Sequence, residues 1–550
     1  MSTLSCPSCG YHLASRAEVK SPQSLTFFKP PVLVHEKEIP ALQAEVRHLD
    51  NLILQLNDKR AAILRKLNET QTTTRRLPTE ILSTIFRFVR PPTSFDTLYL
   101  EFYVGANAIN VEESFHHNLA AVCHLWNQVV QSTPQLWTTI TLRADRRSSI
   151  TKITSLLDLY FKRSRNLPLS ILLDFQSEAK LRSEMDALMP FEARQAYLSQ
   201  LQPLLAAVFD QDRAARIRQL ILIHPPVELF SYIDKGLSKC DSMTIFQSRE
   251  EIQTDHTLEL LELPCLRRLD LIDVNFRVSQ LPNTTTTLHL RNMLFTFGSE
   301  TLLGLRNLVI FEIINPRGRA ESILQITESI TLPNVEHFGW CSPETDMALF
   351  SDFFHYIRFP RLRSLFWGQR KLWTGTTSDE DHKRLSVNFF SNLPPTLSSL
   401  AFSILDPSNE TTTLIHHILH SIPQVSGLQF IQCPTVAIEA ALEVVGRPLP
   451  SSTLVYDELH EELAATGAFS GKVLPNLRRL SITNALNWPW PAAENLDPRK
   501  LVEMLEALQS ISGERSRERF HFSMSRNITW GDHDPQILDR LRMLATEERI

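Results

Sequence analysis

The sequence has little cysteine, no excess of positive charge and no long apolar run. Its seven cysteines are mostly isolated within apolar segments, which predicts reduced, buried thiols rather than a disulfide framework. The formal net charge of −5 argues against nucleic-acid binding, which needs a clear positive excess. No apolar run approaches the ~18 residues of a membrane span, and the start lacks the apolar region of a secretory signal. We therefore expect a cytoplasmic or nuclear protein without a membrane partner.

Motifs of catalysis and cofactor binding are also missing. The sequence has no Gly-x-Ser-x-Gly nucleophile elbow and no dinucleotide fingerprint, and Gly467–Lys472 is one residue short of a phosphate loop. We expect no enzymatic activity and no cofactor. Cys6 and Cys9 form a Cys-x-x-Cys pair, but structural zinc takes four ligands and the second pair is absent. The pair is therefore only a weak candidate for binding a metal.

One local cluster of positive charge stands against the negative total. It comprises Arg143, Arg146, Arg147, Lys152, Lys162, Arg163 and Arg165. Such clusters usually form a solvated face. A nucleic-acid or anion-binding function at this cluster is an alternative that salt-dependent binding would reveal.

A heptad pattern occupies residues 36–72, after residues 1–35, which lack periodicity and are expected to be disordered. Apolar residues fill two heptad positions over about four heptads: Ile39, Val46, Ile53 and Leu67 in one, Leu42, Leu49, Leu56 and Ile63 in the other. Arg60 interrupts the first set. The pattern predicts a helix that self-associates as a coiled coil through residues 36–70. Because Leu52, Leu54 and Leu64 widen the apolar face, a single helix lying on the chain's own body is equally favoured.

Charges beside the heptad positions bear on the direction of such a pair. A parallel pair would place Glu45 against Asp50 of the other copy, whereas an antiparallel pair brings Glu45 near Lys66. Surface charge pairs contribute only about 0.2–1 kcal/mol, so the preference for the antiparallel pair is slight.

Residues 73–142 contain two amphipathic patterns around a long connection. The segment reads Leu-Pro-Thr-Glu-Ile-Leu-Ser-Thr-Ile-Phe at 77–86, Val-Cys-His-Leu-Trp-Asn at 122–127 and Pro-Gln-Leu-Trp at 134–137. Pro78 stands where a helix would begin, since its missing N–H costs nothing there. Periodicity alone predicts two helices of an ordinary helical core.

This residue pattern resembles the F-box family, whose members read Leu-Pro-x-Glu-Ile-Leu-x-x-Ile-Phe, then Val-Cys-x-x-Trp-Asn, then Pro-x-Leu-Trp. The resemblance implies a small all-α domain that binds a Skp-type adaptor and, through it, a cullin. The residues implied to make or support the adaptor surface are Leu77, Pro78, Ile81, Leu82, Ile85, Phe86, Val122, Trp126, Leu136 and Trp137. The connection between Arg90 and Asn118 is longer than is usual in the family, which costs little closure entropy.

Residues 143–550 carry a recurring unit that ends in a short alternating strand. Its clearest copies are Leu263–Leu271 and Leu474–Ile482, with others at residues 302–310 and after Pro282, Pro333, Pro360, Pro394 and Pro423. Residues 216–222, which begin at Arg216, are a candidate for an earlier copy. The unit resembles degenerate leucine-rich repeats, and its recurrence predicts an irregular α/β solenoid. An α/β domain with parallel strands is the alternative. Trp488, Trp490 and Trp530 are expected to cap the C-terminal end.

Residues that alternate with the core leucines of these strands would share one surface, because side chains switch faces at each step. They are Asp270, His289, Val309, Ser364, Ala401, Gln429 and Ser481. Among them, Asp270, His289 and Gln429 are the candidate residues for binding a target protein.

The combined sequence features predict an α/β protein with an N-terminal coiled-coil-like helix, a small all-α F-box and a leucine-rich-repeat-like solenoid. This arrangement resembles the large fungal F-box families. The resemblance implies a substrate-recognition subunit of a cullin-type ubiquitin ligase, whose target the sequence does not identify. A non-catalytic binding scaffold outside any ligase is the alternative.

Overall fold

The computed structural model describes residues 39–71, 77–90, 110–143, 150–175, 191–226, 229–247, 257–260, 263–274, 277–293, 299–316, 329–342, 351–369, 389–403, 415, 418–431, 433–446, 474–483, 498–513, 520–524 and 535–544. The chain divides into two compact units. The first consists of residues 1–77 and 122–125, and the second of residues 78–121 and 126–550.

The first unit contains one long helix, α1 (Ile39–Gln71), of 33 residues. Pro40 lies in its first turn, where the absent N–H has no helical partner to lose. The helix continues through Arg60, so the heptad positions recur along one uninterrupted axis. The apolar heptad residues from Leu42 to Leu67 are exposed, from 45% at Leu67 to 67% at Ile63.

Three helices and a 3₁₀ turn follow in the described residues 79–90 and 110–137. They are α2 (Thr79–Val89), α3 (Asn110–Val122), α4 (His124–Ser132) and the turn Pro134–Trp137. The second predicted helix is thus divided, because regular helix stops at Cys123. Asn110 also begins α3 within the stretch that the sequence suggested was connection.

The second unit is built on a sheet of 13 parallel strands, whose order across the sheet follows their order along the chain. Its strands are β1 (Thr139–Arg143), β2 (Leu169–Asp174), β3 (Ile217–Ile223), β4 (Ser242–Phe246), β6 (Arg268–Ile272), β8 (Thr287–Arg291), β9 (Ile310–Ile314), β11 (His337–Ser342), β13 (Ser364–Gln369), β14 (Ser399–Ser403), β15 (Gly427–Ile431), β16 (Arg479–Thr483) and β17 (His521–Met524). Two small parallel sheets pair β5 (Thr257–Glu259) with β7 (Arg277–Gln280) and β10 (Ile330–Thr331) with β12 (Ile357–Arg358).

In the described part of the chain, helices lie between some of these strands and after the last one. They are α5 (Ile150–Arg163), α6 (Phe191–Phe209), α7 (Gln211–Ala214), α8 (Phe230–Gly236), α9 (Ser299–Gly304), α10 (Ser351–Tyr356), α11 (Thr435–Gly446), α12 (Pro498–Gly513) and α13 (Pro535–Leu544). The protein is therefore mixed α/β with a large parallel sheet. The sheet extends further than expected, since β1 precedes the first anticipated unit at Arg216 and β17 follows the last at Ile482.

Each Leu-Pro-x-Leu sequence forms a tight turn before a strand. In Leu263–Leu266, the Leu266 N–H donates to the Leu263 carbonyl at 3.0 Å, and Pro264 occupies the turn position that suits its fixed φ. Both leucines are completely buried. The same bond joins Leu332 to Val335 and Ile422 to Val425. The motif thus buries two apolar side chains and directs the chain into the sheet.

Alternation along the strands separates a core face from a second face. Leu269 and Leu271 of β6 are completely buried on the core face, and Asp270 between them belongs to the second face. In the unit at residues 302–310 the expected register is wrong. Val309 was expected to lie within a strand, on the second face. The strand of this unit is instead β9, which begins at Ile310 and whose buried residues are Phe311 and Ile313. Val309 therefore precedes the strand.

Candidate functional site

A buried aromatic contact holds α2 against α4. Leu82 and Phe86 of α2 are each 1% exposed, and the Phe86 ring centroid lies 4.7 Å from that of Trp126. At the start of α2, the amides of Ile81 and Leu82 both donate to the Pro78 carbonyl. These contacts determine which side of α2 faces outward.

Trp137 anchors the end of the same helical segment. Its indole Nε1 donates to the Val130 carbonyl at 2.8 Å, and its ring stacks on His116 with a centroid distance of 4.9 Å. The ring of Tyr160, on α5, meets Trp137 edge-on at 5.1 Å. His116 Nε2 lies 2.6 Å from the Leu136 carbonyl, and because a carbonyl only accepts, Nε2 is the protonated nitrogen.

Sequence reasoning did not identify His116 or Tyr160. His116 lies in the segment taken for connection, and no short-range pattern relates it to a tyrosine 44 residues later. Only the packing of α3 and α5 against the Pro134–Trp137 turn brings the two rings together.

The outward side of α2 carries an apolar stripe, which consists of Ile81 (47% exposed), Ile85 (39%) and Phe88 (85%). These positions are separated by four and three residues, so their side chains lie on one face of the helix. Sequence reasoning missed Phe88, although its spacing of seven from Ile81 is the signal that identifies it.

The candidate adaptor residues therefore divide by burial. Leu82, Phe86, Leu136 and Trp137 are buried, Leu77 and Trp126 are half-buried, and Pro78, Ile81, Ile85 and Val122 are exposed. Within the second unit, the buried members hold the helices together while Pro78, Ile81 and Ile85 remain available on the surface. Val122 and Leu77 belong to the first unit.

The helical segment continues directly into the sheet. Strand β1 begins at Thr139, two residues after Trp137. The Arg90 guanidinium lies 3.5 Å from the carbonyls of Gln135 and Thr139. Through Tyr160, α5 also packs on Trp137. The helices from α2 onward and the first strands therefore share contacts without a linker between them.

On the second face of the sheet, strand register aligns one residue from each strand in a row. The row includes Asp270, His289, Glu312, Ala401, Gln429 and Ser481. Ser364 lies on the same face, two residues before the row member Phe366. Glu312 occupies the position in the row that had been assigned to Val309. The expected surface residues are thus brought to one face, apart from Val309.

The second face is not uniformly open. At β2 to β4 it carries an apolar cluster of Leu172, Ile221 and Ile223, each at most 4% exposed, with Phe246 packed against them. Farther along, Ala401 is 9% exposed, while Gln429 and Ser481 are half-buried. Outside the apolar cluster, the half-buried row residues are therefore the more accessible ones: His289, Glu312, Gln429 and Ser481.

Charged residues join β6, β8 and β9 on the second face. Asp270 lies 2.6 Å from His289 Nδ1 and 3.0 Å from Arg268 Nε, and accepts from the Thr244 hydroxyl at 3.0 Å. Burial raises the pKa of Asp270, but His289, Arg268 and Thr244 together lower it below the usual aspartate value. Asp270 is already paired with these neighbours, which lie on β4, β6 and β8. Its side chain therefore stabilises the packing of these three strands.

Several other predicted features lie outside the described residues: Cys6 and Cys9, Arg146 and Arg147, Gly467–Lys472, and the three capping tryptophans. Of the basic cluster, Arg143 pairs with buried Asp174 at 2.9 Å, and Arg163 donates to the Gln131 carbonyl at 3.1 Å.

In the described part of the chain, no three His, Cys, Asp or Glu residues group as a metal site. No helix there is long and apolar enough to cross a membrane.

Comparison with known families agrees with this geometry. Residues 74–143 match the F-box-like family, and this match supports an F-box protein. An F-box-like domain suggests, in general terms, a role in binding the adaptor of a ubiquitin ligase, and F-box domains generally bind Skp-type adaptors. No curated protein matches the chain.

Proposed function

We propose that this chain is the substrate-recognition subunit of a cullin-type ubiquitin ligase. It binds the Skp-type adaptor through its F-box-like helices and a target protein through the second face of the sheet. The chain performs no chemistry itself, and it acts by raising the effective concentration of the target near the transferase. The observation that carries the proposal is the exposed apolar stripe of α2 within the F-box-like segment.

The size and exposure of the stripe support adaptor binding. Phe88 is 85% exposed and Ile81 47% exposed, and burying such side chains stabilises a complex by about 1.5–3 kcal/mol each. Buried contacts of Leu82 and Phe86 hold the helix in place, so the stripe is presented without prior rearrangement. A preorganised surface loses little conformational entropy on binding.

The strand order supports a leucine-rich-repeat-like solenoid as the target-binding part. Parallel strands that are adjacent in chain order arise when each strand-and-helix unit stacks on the preceding one. Such stacking produces an extended surface made of one residue from each strand. Gln429 and Ser481 are half-buried members of this row, and the target contacts the row through them.

Adaptor binding is tested with the full chain and a purified Skp-type adaptor. We expect Ile81→Lys combined with Phe88→Lys to weaken adaptor binding by more than tenfold, because two charges replace apolar contacts in a buried interface. Leu303→Lys is the matched control, since Leu303 on α9 is a 42% exposed leucine remote in sequence from the F-box-like segment. All three positions are exposed, so the melting temperature should change little.

Adaptor affinity that is the same in both variants would contradict the assignment of the stripe to adaptor binding.

A second measurement distinguishes a ligase subunit from a binding scaffold that acts outside a ligase. When the adaptor is supplied with its cullin, the wild-type chain should be recovered with both proteins. Recovery of the adaptor without the cullin would favour a binding scaffold that acts outside a ligase.

A further inference from the structure

The large apolar side chains of α1 are exposed from Leu42 to Leu67. Leu42, Val46, Leu49, Leu52, Ile53, Leu54, Leu56, Ile63, Leu64 and Leu67 are between 39% and 67% exposed. Helices in proteins owe most of their stability to packing of an apolar face rather than to intrinsic propensity. A 33-residue helix with this composition therefore needs a partner surface of similar length.

We propose that the partner is α1 of a second copy of this chain, paired in the antiparallel direction. Two copies of one helix present seams of equal length, and a heptad seam matches another heptad seam by knobs-into-holes packing. The direction of the pair follows from the positions of the charged residues. This self-association is independent of the adaptor and target functions proposed above.

A parallel, in-register pair places like charges together. Arg60 occupies a seam position, so in a parallel pair it faces Arg60 of the other copy. Glu45 lies on the flank beside Asp50 of the other copy, and symmetry repeats this contact. Like charges at such positions are destabilising.

The antiparallel pair removes these conflicts. Val46 then packs opposite Ile63, Ile53 opposite Leu56, and Leu67 opposite Leu42. Arg60 meets Leu49, and its long side chain reaches Asp50 beside that leucine.

Glu45 lies beside Lys66 in the same arrangement. Within the described part of the chain, the side chains of Glu45, Asp50 and Arg60 make no hydrogen bond or ion pair, so each is available to the second copy. The antiparallel pair therefore converts every charge conflict of the parallel pair into an attraction.

The seam is tested by sedimentation velocity of the full chain over a range of concentrations. Leu49→Lys and Leu54→Lys form a matched pair, because the two leucines are 51% and 63% exposed on the same helix and only Leu49 lies in the seam. We expect Leu49→Lys to raise the dimer dissociation constant by more than tenfold and Leu54→Lys by less than about threefold. Both variants introduce lysine, a good helix former, so a helix defect would affect them equally.

The direction is tested by reversing one charge. Glu45→Lys should weaken an antiparallel dimer by about tenfold, since it turns two attractions with Lys66 into two repulsions. Adding Lys66→Glu should restore the affinity. In a parallel dimer Glu45→Lys would instead tighten association, because the introduced ammonium group would then face Asp50.

Tighter association of the Glu45→Lys variant would therefore overturn the antiparallel arrangement. A wild-type chain that sediments as a monomer up to high micromolar concentration would overturn self-association itself. Adaptor affinity is measured on the same samples and should be unchanged in all variants. A failure of self-association can then be distinguished from a failure of the proposed adaptor binding.

Discussion

At the scale of single residues, Trp137 connects the helical segment to the sheet. Its indole N–H donates to the Val130 carbonyl, its ring system stacks on His116, and it makes a T-shaped contact with the ring of Tyr160. The residue is 7% exposed, so the hydrogen bond forms where water cannot replace it. Burial makes the loss of such a bond costly.

We expect Trp137→Phe to lower the free energy of unfolding by about 1–3 kcal/mol, because it retains an aromatic ring but leaves a buried carbonyl without its donor. Urea denaturation measures this change. Tyr160→Phe is the control, since the Tyr160 hydroxyl lies 3.4 Å from His116 Nδ1, a long and weak bond. An equal loss in the two variants would show that the indole hydrogen bond contributes no more than the long Tyr160 bond, and would contradict the role given to Trp137 Nε1.

Asp270 gives the sheet a dependence on pH. Its pKa is lowered in the folded chain, so its stabilising contribution is present above the unfolded pKa of about 4 and is lost as pH falls through the folded value. We expect Asp270→Asn to be less stable than wild type at pH 7, and this difference to shrink below about pH 4. Asp158→Asn is the control, because Asp158 pairs with Arg213 at an exposed site. A difference that stays constant with pH would contradict the role assigned to Asp270.

At the scale of the element, the repeated turn before each strand is the unit that builds the sheet. Leu263 and Leu266 close one turn and are both completely buried, while Pro264 between them restricts the unfolded chain. The turn thus combines a local conformational preference with two core side chains. Its recurrence along the chain explains why strands of irregular spacing still pair in order.

We expect Leu266→Ala to destabilise the protein by about 2–5 kcal/mol, because it leaves a cavity in the core. Pro264→Ala should cost only about 0.4–1 kcal/mol, since it acts through the entropy of the unfolded chain. Leu303→Ala, at an exposed leucine, should stay within about 0.5 kcal/mol of wild type. The three values come from thermal unfolding, and a Pro264 variant as unstable as the Leu266 variant would contradict this account.

At the scale of the whole second unit, the absence of a linker between the helical segment and β1 has a functional consequence. Contacts of Arg90 with Thr139 and of Trp137 with Tyr160 join the two parts over a short distance. A target bound on the sheet would therefore be held in a defined orientation relative to an adaptor bound at α2. A flexible tether would provide proximity without orientation.

The accessible row residues should determine capture of the target. We expect Gln429→Arg combined with Ser481→Arg to reduce the recovery of specific proteins from a native extract, because added charge and bulk disturb a complementary surface. Quantitative mass spectrometry measures the recovery, with the co-purified adaptor as internal standard. Gln211→Arg, at an exposed position of α7, is the control. Unchanged recovery of every protein would place target binding elsewhere on the chain.

The register of individual strands shows where sequence reasoning succeeds. Asp270, His289, Gln429 and Ser481 occupy one row as anticipated, because period-2 alternation around core leucines determines the face of each residue. The unit at residues 302–310 misled the same reasoning. Its strand begins with Ile310 and buries Phe311 and Ile313, and two overlapping apolar alternations cannot be distinguished without their neighbours.

The sequence by itself determined the heptad helix, the F-box-like motif, the turns before the strands and the alternating core, since these depend on contacts between residues near in sequence. Only the tertiary structure decided that the sheet begins at Thr139, that the rings of His116, Trp137 and Tyr160 contact one another, and that the second face is buried at β2 to β4. These features join residues that are distant along the chain. Their formation depends on packing geometry, which no local pattern of residues encodes.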